Sequence, residues 1–278
     1  QFIYGRSYNY LTSIKIYFFI YMHTFRNYTI DTPQYTLYKN MYANQTVDFV
    51  QSKLEQYSDL NNRQMTMNEC LSLLDEFIDP SDPDTELPNS IHAYQTAEKI
   101  RTMYPQNEEL QICGLIHDLG KILYKFNEPE WNVVGDTFVV GCEYPPIMVY
   151  HDLIKANPDC NNPAYNTKYG IYESNCGIEN LLLSFGHDQY LYNVLQKNKH
   201  KLSKKYQDII RFHSFYPWHT HGEYRHFMKD GDYKILRDVQ DFNSYDLYSK
   251  QDAFILTDAI KEYYSNLLNK YFPNKLSW

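Results

Sequence analysis

Apolar side chains recur at intervals of three and four residues in several stretches of the chain, which is typical of amphipathic helices. One such stretch runs from about residue 44 to residue 57. Another follows Thr66, which forms the S/T-x-x-E pattern of a capping box with Glu69. A further helix is predicted to begin at Asn89 or Ser90 and to carry His92, Thr96 and Glu98. Others are predicted for residues 108–126, 177–185, 203–213 and 254–271.

The region from residue 127 to about residue 175 lacks helical periodicity. Within it, Gly135 and Asp136 lie between β-prone residues, a pattern that predicts a two-residue hairpin over residues 133–139. A connection this long within a compact domain is usually functional, and we predict that it forms a lid. The fold class expected is therefore mostly α: a single helical bundle with a small β-hairpin and a long lid-like loop region.

Composition narrows the class of protein. The chain has 278 residues, 43% of them hydrophobic, which fits one globular domain. Its net charge of -8 argues against a nucleic-acid partner, because phosphate binding requires a basic surface. The five cysteines include no C-x-x-C pair, so we expect reduced thiols in the cytoplasm. We also expect a monomer that has no membrane partner.

The N-terminal residues do not match the pattern of the rest. Residues 14–22 are apolar, but they are too few to span a bilayer. No small-residue cleavage site follows them, as a signal peptide would require. We therefore interpret residues 1–21 as a dispensable extension and residues 22–278 as the working domain.

One short segment places an imidazole and a carboxylate side by side in an apolar run. His117 and Asp118 are flanked by leucine and isoleucine, and a carboxylate buried there is costly unless it is paired or binds a metal. On a helix, Lys121 would share one face with both residues, which makes it a candidate for binding substrate. The alternative is a buried His–Asp hydrogen bond, with Lys121 extending to solvent.

The chain offers six such groups on apolar helical faces. They are His92, His117, Asp118, His187, His213 and Asp246. Six ligands exceed what one tetrahedral ion uses, so we expect two metal ions, with Asp118 as the best candidate for a bridging ligand. Imidazole and carboxylate ligands fit redox-active iron, and zinc and manganese are the alternatives. Sequence motifs for a serine nucleophile elbow or for nucleotide binding do not occur in the chain.

Several motifs are similar to those of one enzyme family. They are DPD at 82–84, LPNS at 87–90, HAYQTAE at 92–98, GLIHDLGK at 114–121, VVGDTF at 133–138, GHD at 186–188, RFHSFYPWH at 211–219 and LSW at 276–278. Together they resemble the myo-inositol oxygenase family, which belongs to the HD-domain superfamily. The resemblance begins near Phe25 and continues to the C-terminal end.

This resemblance implies a non-haem di-iron centre in an HD-domain-like bundle. One iron would be held by His92, His117, Asp118 and Asp246, and the other by Asp118, His187 and His213. The family cleaves the ring of myo-inositol with dioxygen as co-substrate, giving D-glucuronate. It works from a mixed-valent Fe(II)/Fe(III) state.

The resemblance also implies which residues contact the substrate. These are Arg26, Asp79, Asp82, Lys121, Gly135, Asp136, His213 and Ser214. Lys121 and Asp118 are the expected catalytic residues. An ammonium at Lys121 would stabilise an alkoxide that forms at the metal, which is an electrostatic role.

Two other functions fit part of the pattern. An HD-domain phosphohydrolase shares the His…His-Asp…Asp core, but it would require a basic pocket for phosphate, and this chain offers only scattered Lys and Arg. A non-catalytic metal-binding protein descended from the enzyme is the second alternative. Oxygen uptake that depends on myo-inositol separates the oxygenase from both.

Overall fold

The computed structural model describes residues 30–81, 88–247 and 254–278. The helices in these ranges are α1 Pro33–Asn44, α2 Val47–Gln56, α3 Met67–Leu73, α4 Asn89–Met103, α5 Glu108–Ile116, α6 His187–Lys197, α7 Lys204–Phe212, α8 Tyr216–His219, α9 Asp232–Leu247 and α10 Asp258–Tyr271. Short 3-10 helices cover Leu74–Glu76, Leu119–Phe126, Glu130–Asn132, His151–Ala156, Pro158–Asn161, Ile178–Asn180 and Arg225–Phe227. Strands β1 Gln64–Met65 and β2 Leu276–Ser277 form an antiparallel pair.

The centre of the fold is a bundle of helices. Helix α4 packs along α5, α6 packs along α7, and α9 contacts α4, α5 and α7. The small side chains of Ala93 and Ala97 on α4 are fully buried, which allows the neighbouring helix to approach closely. The indoles of Trp218 and Trp278 are also fully buried. The predicted mostly α class is therefore confirmed.

The capping box predicted at the start of α3 is present. The backbone N–H of Glu69 donates to Thr66 Oγ1 at 3.0 Å, and the N–H of Thr66 donates to Glu69 Oε2 at 2.7 Å. Ser203 precedes α7 as predicted, but its backbone N–H and hydroxyl donate to the Glu109 carboxylate rather than capping the helix.

The hairpin predicted at residues 133–139 is wrong. Val139 instead forms an isolated antiparallel bridge with Leu183, and the N–H of Ser184 donates to the Phe138 carbonyl at 2.7 Å. The N–H of Thr137 donates to the carbonyl of Ser214 at 2.9 Å. The β-prone residues of this segment therefore pair with distant parts of the chain and not with each other.

The helix predicted for residues 177–185 is also wrong. Only Ile178–Asn180 forms a helical turn, and residues 181–186 continue without helix. Leu181, Leu183 and Phe185 are buried, and this alternation fits an extended segment better than a helix. Helix α6 begins at His187, so this histidine lies at the start of a helix and not at the end of an apolar stripe.

Two further predicted helices have different bounds. The helix expected over residues 108–126 ends as an α-helix at Ile116 and continues from Leu119 as a 3-10 helix. The last helix begins at Asp258, where Thr257 caps it through the N–H of Ile260. Ile255, an apolar residue within the predicted range 254–271, lies before this helix and is 77% exposed.

The long loop region is packed against α1. The fully buried Asn157 donates to the carbonyls of Tyr42 at 2.7 Å and Gln45 at 3.0 Å. These bonds satisfy backbone groups at the end of α1 that its own helix leaves unpaired. A role for this region as a lid stays a prediction.

Some predictions concern residues outside the described ranges. They are the extension at residues 1–21 with its boundary at residue 22, Arg26 and Asp82. The five cysteines all lie within the described ranges and are free thiols. No described helix is both long enough and apolar enough to cross a bilayer.

Candidate metal centre

Three helices bring the first group of candidate ligands together. His92 lies on α4, His117 ends α5, and Asp246 lies in the last turn of α9. The Oδ1 atom of Asp246 is 2.8 Å from His92 Nε2 and 3.2 Å from His117 Nε2. The candidate ligand atoms of all three residues lie within 4.8 Å of one another. One carboxylate oxygen therefore faces two imidazoles.

Asp118 joins this group to a second one. Its Oδ2 atom is 3.5 Å from His117 Nε2, while its Oδ1 atom is 3.3 Å from His187 Nε2 and 3.6 Å from His213 Nε2. The two oxygens of Asp118 thus point to different histidine groups. This is the arrangement that a carboxylate bridging two cations requires.

Hydrogen bonds on the far side of each ring assign its tautomer. The Nδ1 atoms of His117, His187 and His213 each lie 2.8 Å from a backbone carbonyl oxygen, to which they donate. In its neutral form each ring then has a lone pair on Nε2, as in metal-binding histidines whose other nitrogen donates to a carbonyl. The acceptors are the carbonyls of Gly114, Val133 and Ile210.

The second group fits a cation for a simple reason. His187 Nε2 and His213 Nε2 are only 3.2 Å apart, and both rings donate through Nδ1. Two lone pairs that face each other at this distance repel unless a proton or a metal ion lies between them. The donor set consists of imidazole and carboxylate without thiolate, which suits iron, manganese or zinc.

The electrostatics of the centre also favour positive charge. Burial alone would raise the pKa of the Asp118 carboxyl, but Lys121 and His117 hold it well below its usual range. Burial alone would lower the pKa of His117, but the carboxylates of Asp118 and Asp246 raise it to about 9. Burial likewise opposes ionisation of Asp246, whose pKa is nevertheless held well below its usual range by His117 and His92. Both carboxylates are therefore anions at neutral pH.

Lys121 connects the centre to Asp79. Its ammonium is 2.9 Å from Asp118 Oδ2 and 2.8 Å from Asp79 Oδ2. Lys121 is 7% exposed, so the alternative in which it extends to solvent is wrong. Residues three apart eclipse in a 3-10 helix, which explains why Lys121 lies directly beside Asp118.

Close packing holds the two histidine groups together. A Cβ atom placed on Gly120 would lie 1.8 Å from the carbonyl oxygen of His187, so only glycine fits there. Gly120 is two residues from Asp118 in the chain. The backbone that follows the candidate bridging carboxylate is thus in direct contact with the backbone of a candidate ligand from the second group.

Comparison with known proteins agrees with these observations. Residues 33–278 match the family described as myo-inositol oxygenase. The chain is 46% identical over 259 residues to inositol oxygenase of Mus musculus, covering 92% of this chain and 91% of the mouse protein. It is 46% identical over 262 residues to inositol oxygenase 1 of Arabidopsis thaliana, covering 92% of this chain and 84% of that protein.

The chain belongs to the myo-inositol oxygenase family. This confirms the family that the sequence motifs indicated, and it makes the protein an oxygenase.

The remaining candidate substrate residues of this oxygenase lie on neighbouring segments. Ser214 Oγ is 3.3 Å from His187 Nε2. The backbone of Ser214 is bonded to Thr137, which directly follows the predicted pair Gly135 and Asp136. Asp136 is 8% exposed and accepts a hydrogen bond from the hydroxyl of Tyr38 at 2.9 Å.

Sequence reasoning missed the groups that orient the ligands. The three carbonyl acceptors of the histidine Nδ1 atoms carry no sequence signal, because any residue can supply a carbonyl. Gln45 and Asn132 are buried amides next to the segment that carries His187, and neither lies in a motif that suggested a role.

Proposed function

We propose that the protein cleaves the ring of myo-inositol with dioxygen, giving D-glucuronate, at a centre of two iron ions. The observation that carries this proposal is the position of Asp118, whose two oxygens face two separate groups of histidine Nε2 atoms. Bound iron would supply the redox chemistry that dioxygen activation needs, from a mixed-valent Fe(II)/Fe(III) pair.

The ligands follow from the two groups. His92, His117 and Asp246 would hold the first ion, and His187 and His213 would hold the second. Asp118 would contact both. The carbonyls that accept hydrogen bonds from Nδ1 keep the rings of His117, His187 and His213 aimed at these positions.

Lys121 is the proposed catalytic group that contacts substrate. Its ammonium lies beside Asp118 and is held in a buried position by Asp79. A substrate hydroxyl that reaches this ammonium can be held by it, and the positive charge stabilises the oxygen when the hydroxyl loses its proton. Asp118 contributes by holding Lys121 as well as the ions.

A neutral polyol loses many hydrogen bonds to water when it is buried, and the site must replace them. We propose that Asp79, Asp136, Ser214 and the backbone at Gly135 provide these partners. Asp79 already accepts from the N–H and hydroxyl of Ser81, which orients its carboxylate. Arg26 and Asp82 belong to the same proposal.

Exclusion of water is the remaining task of the chain. Reactive oxygen species must be shielded from solvent, which suits a site whose ligands are buried. We propose that the loop region at residues 127–175 forms the cover. The five free thiols fit a reducing compartment, so we propose that the enzyme lies in the cytoplasm. We also propose that it acts as a monomer.

The test is oxygen consumption by the iron-loaded protein with and without myo-inositol, together with identification of the product. We expect uptake that requires myo-inositol and yields D-glucuronate. Phosphate release from a generic phosphoester without inositol-dependent uptake would instead support a phosphohydrolase. Stoichiometric metal without turnover of either substrate would support a binding protein.

A further inference from the structure

A buried glutamine bonds to both backbone groups of a residue close to a proposed metal ligand. The N–H of Phe185 donates to Gln45 Oε1 at 2.9 Å, and Gln45 Nε2 donates to the carbonyl of Phe185 at 2.7 Å. Gln45 is 1% exposed and follows the last residue of α1. Its amide therefore fixes the backbone of Phe185, two residues before His187.

A second buried amide fixes the orientation of the first. Gln45 Nε2 also donates to Asn132 Oδ1 at 3.1 Å, and Asn132 Nδ2 donates to Glu128 Oε2 at 2.6 Å. Rotating the Gln45 amide by half a turn would bring its oxygen against two acceptor oxygens. The arrangement shown by these bonds is thus the only one in which each donor meets an acceptor.

The same two amides connect the two backbone segments that determine the position of His187. Val133, which follows Asn132, accepts hydrogen bonds from the backbone N–H of His187 at 3.0 Å and from its ring Nδ1 at 2.8 Å. One segment carries the imidazole and the other carries the carbonyl that orients it. The bond between Gln45 and Asn132 fixes these segments relative to each other.

His187 needs this support because its own helix does not provide it. His187 is the first residue of α6, and Gly186 before it offers no side chain to cap the helix. Residues 181–186 approach it without helix. Contacts from other segments therefore determine the direction in which the chain enters α6. They also determine the orientation of the His187 imidazole.

We propose that Gln45, oriented by Asn132, is a positioning residue for the second metal ion: it holds His187 in register with Asp118 and His213. The inference rests on the proposed two-iron function. It states that the affinity for one of the two ions depends on Gln45, although Gln45 is not itself a metal ligand. Groups that orient metal ligands typically change affinity by roughly 10–100-fold when they are removed.

The chain offers a matched control for the test. Gln111 is also a fully buried glutamine, whose Nε2 donates to the carbonyls of Tyr104 at 3.0 Å and Pro105 at 3.2 Å. Its Oε1 accepts from the hydroxyl of Tyr263 at 2.7 Å. It makes the same kinds of bond as Gln45, but not to the segment that carries His187.

The experiment titrates anaerobic metal-free protein with Fe(II) against a competing chelator, for the parent, Gln45→Leu, Gln111→Leu and His187→Ala. Melting temperatures are recorded for each metal-free variant. His187→Ala removes the proposed ligand itself, so its titration curve serves as the reference for a protein that has lost the second ion. Mössbauer spectra of the loaded samples count the bound ions independently of activity.

We expect Gln45→Leu to bind the second ion roughly 10–100-fold more weakly and the first ion as the parent does. Gln111→Leu should lower the melting temperature by a similar amount and bind both ions normally. Parental affinity for the second ion in Gln45→Leu, or an equal loss of both ions, overturns the inference while the proposed function stands. A parent that binds only one ion overturns both.

Asn132→Ala covers the case in which Gln45→Leu does not fold. It leaves Gln45 in place but removes the acceptor that orients its amide. We expect the affinity for the second ion to fall, but by less than in Gln45→Leu. Unchanged affinity for the second ion in folded Asn132→Ala would contradict the inference.

Discussion

Glu128 and Asp118 are both buried carboxylates, but they are satisfied in different ways. Glu128 accepts hydrogen bonds from the ammonium of Lys53 at 2.7 Å, the hydroxyl of Tyr57 at 2.7 Å and the amide of Asn132 at 2.6 Å. Each partner carries its own hydrogen. Asp118 accepts from Lys121 and otherwise faces the Nε2 atoms of imidazole rings that also donate to backbone carbonyls through Nδ1.

This difference separates a structural carboxylate from one that is proposed to bind a cation. The direction of the pKa shift does not separate them. Burial opposes ionisation of Glu128, yet hydrogen bonds from Lys53 and Tyr57 lower its pKa, just as Lys121 lowers the pKa of Asp118. What distinguishes the two is the kind of group that they face. Glu128 faces ammonium, hydroxyl and amide groups, whereas Asp118 faces imidazole nitrogens, which can also bind a metal ion. Glu128 is satisfied within the protein, whereas we propose that the carboxylates of the centre also hold metal ions.

The largest effect is expected for Asp118→Asn. Because both proposed ions share this carboxylate, its loss should reduce iron to less than one ion per chain and abolish inositol-dependent oxygen uptake. The loss in metal affinity should exceed the roughly 100-fold found for residues that only orient ligands. Iron content and oxygen uptake of the purified variant test this. Two tightly bound irons in Asp118→Asn would contradict a bridging role.

The second effect separates substrate binding from metal binding. Lys121→Ala should keep both irons but lose affinity for myo-inositol by roughly 10–100-fold, since a hydrogen bond to a charged group contributes about 1.5–3 kcal/mol. Calorimetric titration of the loaded variant with inositol measures this. Loss of iron in Lys121→Ala would make the role of Lys121 structural.

Glu128→Gln should act on stability instead. Removing the charge that Lys53 and Tyr57 satisfy should destabilise the metal-free protein by about 1.5–3 kcal/mol, while both ions still bind. Denaturation in urea measures the loss of stability, and iron analysis of the same samples measures metal binding. A variant that kept its stability but lost iron would break the distinction between the two carboxylates.

The contribution of Glu128 should also depend on pH with a definite sign. Its pKa is lowered in the folded protein, so the stabilisation is fully present above the unfolded value of about 4.3 and is lost as the pH falls through the folded value. The stability difference between parent and Glu128→Gln should therefore shrink between pH 7 and pH 3. A constant difference over this range would contradict an ionic contribution.

The smallest effect concerns the packing between the histidine groups. Gly120→Ala places a methyl group against the His187 carbonyl and should cost about 1–3 kcal/mol of stability, with weaker binding of the second ion. Gly231 is the control, because a Cβ there meets nothing within 4 Å, and Gly231→Ala should change stability by no more than about 0.5 kcal/mol. Thermal denaturation compares the two. Equal stability of both variants would show that the contact at Gly120 relaxes easily.

The types of the ligand residues were predictable from the sequence, because His and Asp among apolar residues must find a partner. His92 and Asp246 also lie on helices. The capping box at Thr66 was predictable because the four residues of its pattern supply both of its hydrogen bonds without help from distant segments.

Other features depend on contacts that sequence spacing does not contain. Residues 177–185 have apolar positions that fit both a helix and an extended segment, and pairing of Val139 with Leu183 decides between them. Gly135 adopts φ of +110°, as a turn would, but Thr137 and Phe138 after it bond to Ser214 and Ser184 in distant segments. The role of Gln45 arises from a contact with Phe185, 140 residues away.

The central claim is that Asp118 and the two histidine groups hold a pair of irons that responds to inositol. Metal analysis and EPR of anaerobically purified protein, with and without myo-inositol, test it most directly. The account predicts two irons per chain and a mixed-valent signal that changes when inositol is added. A single ion per chain, or a redox-silent metal indifferent to inositol, would contradict it.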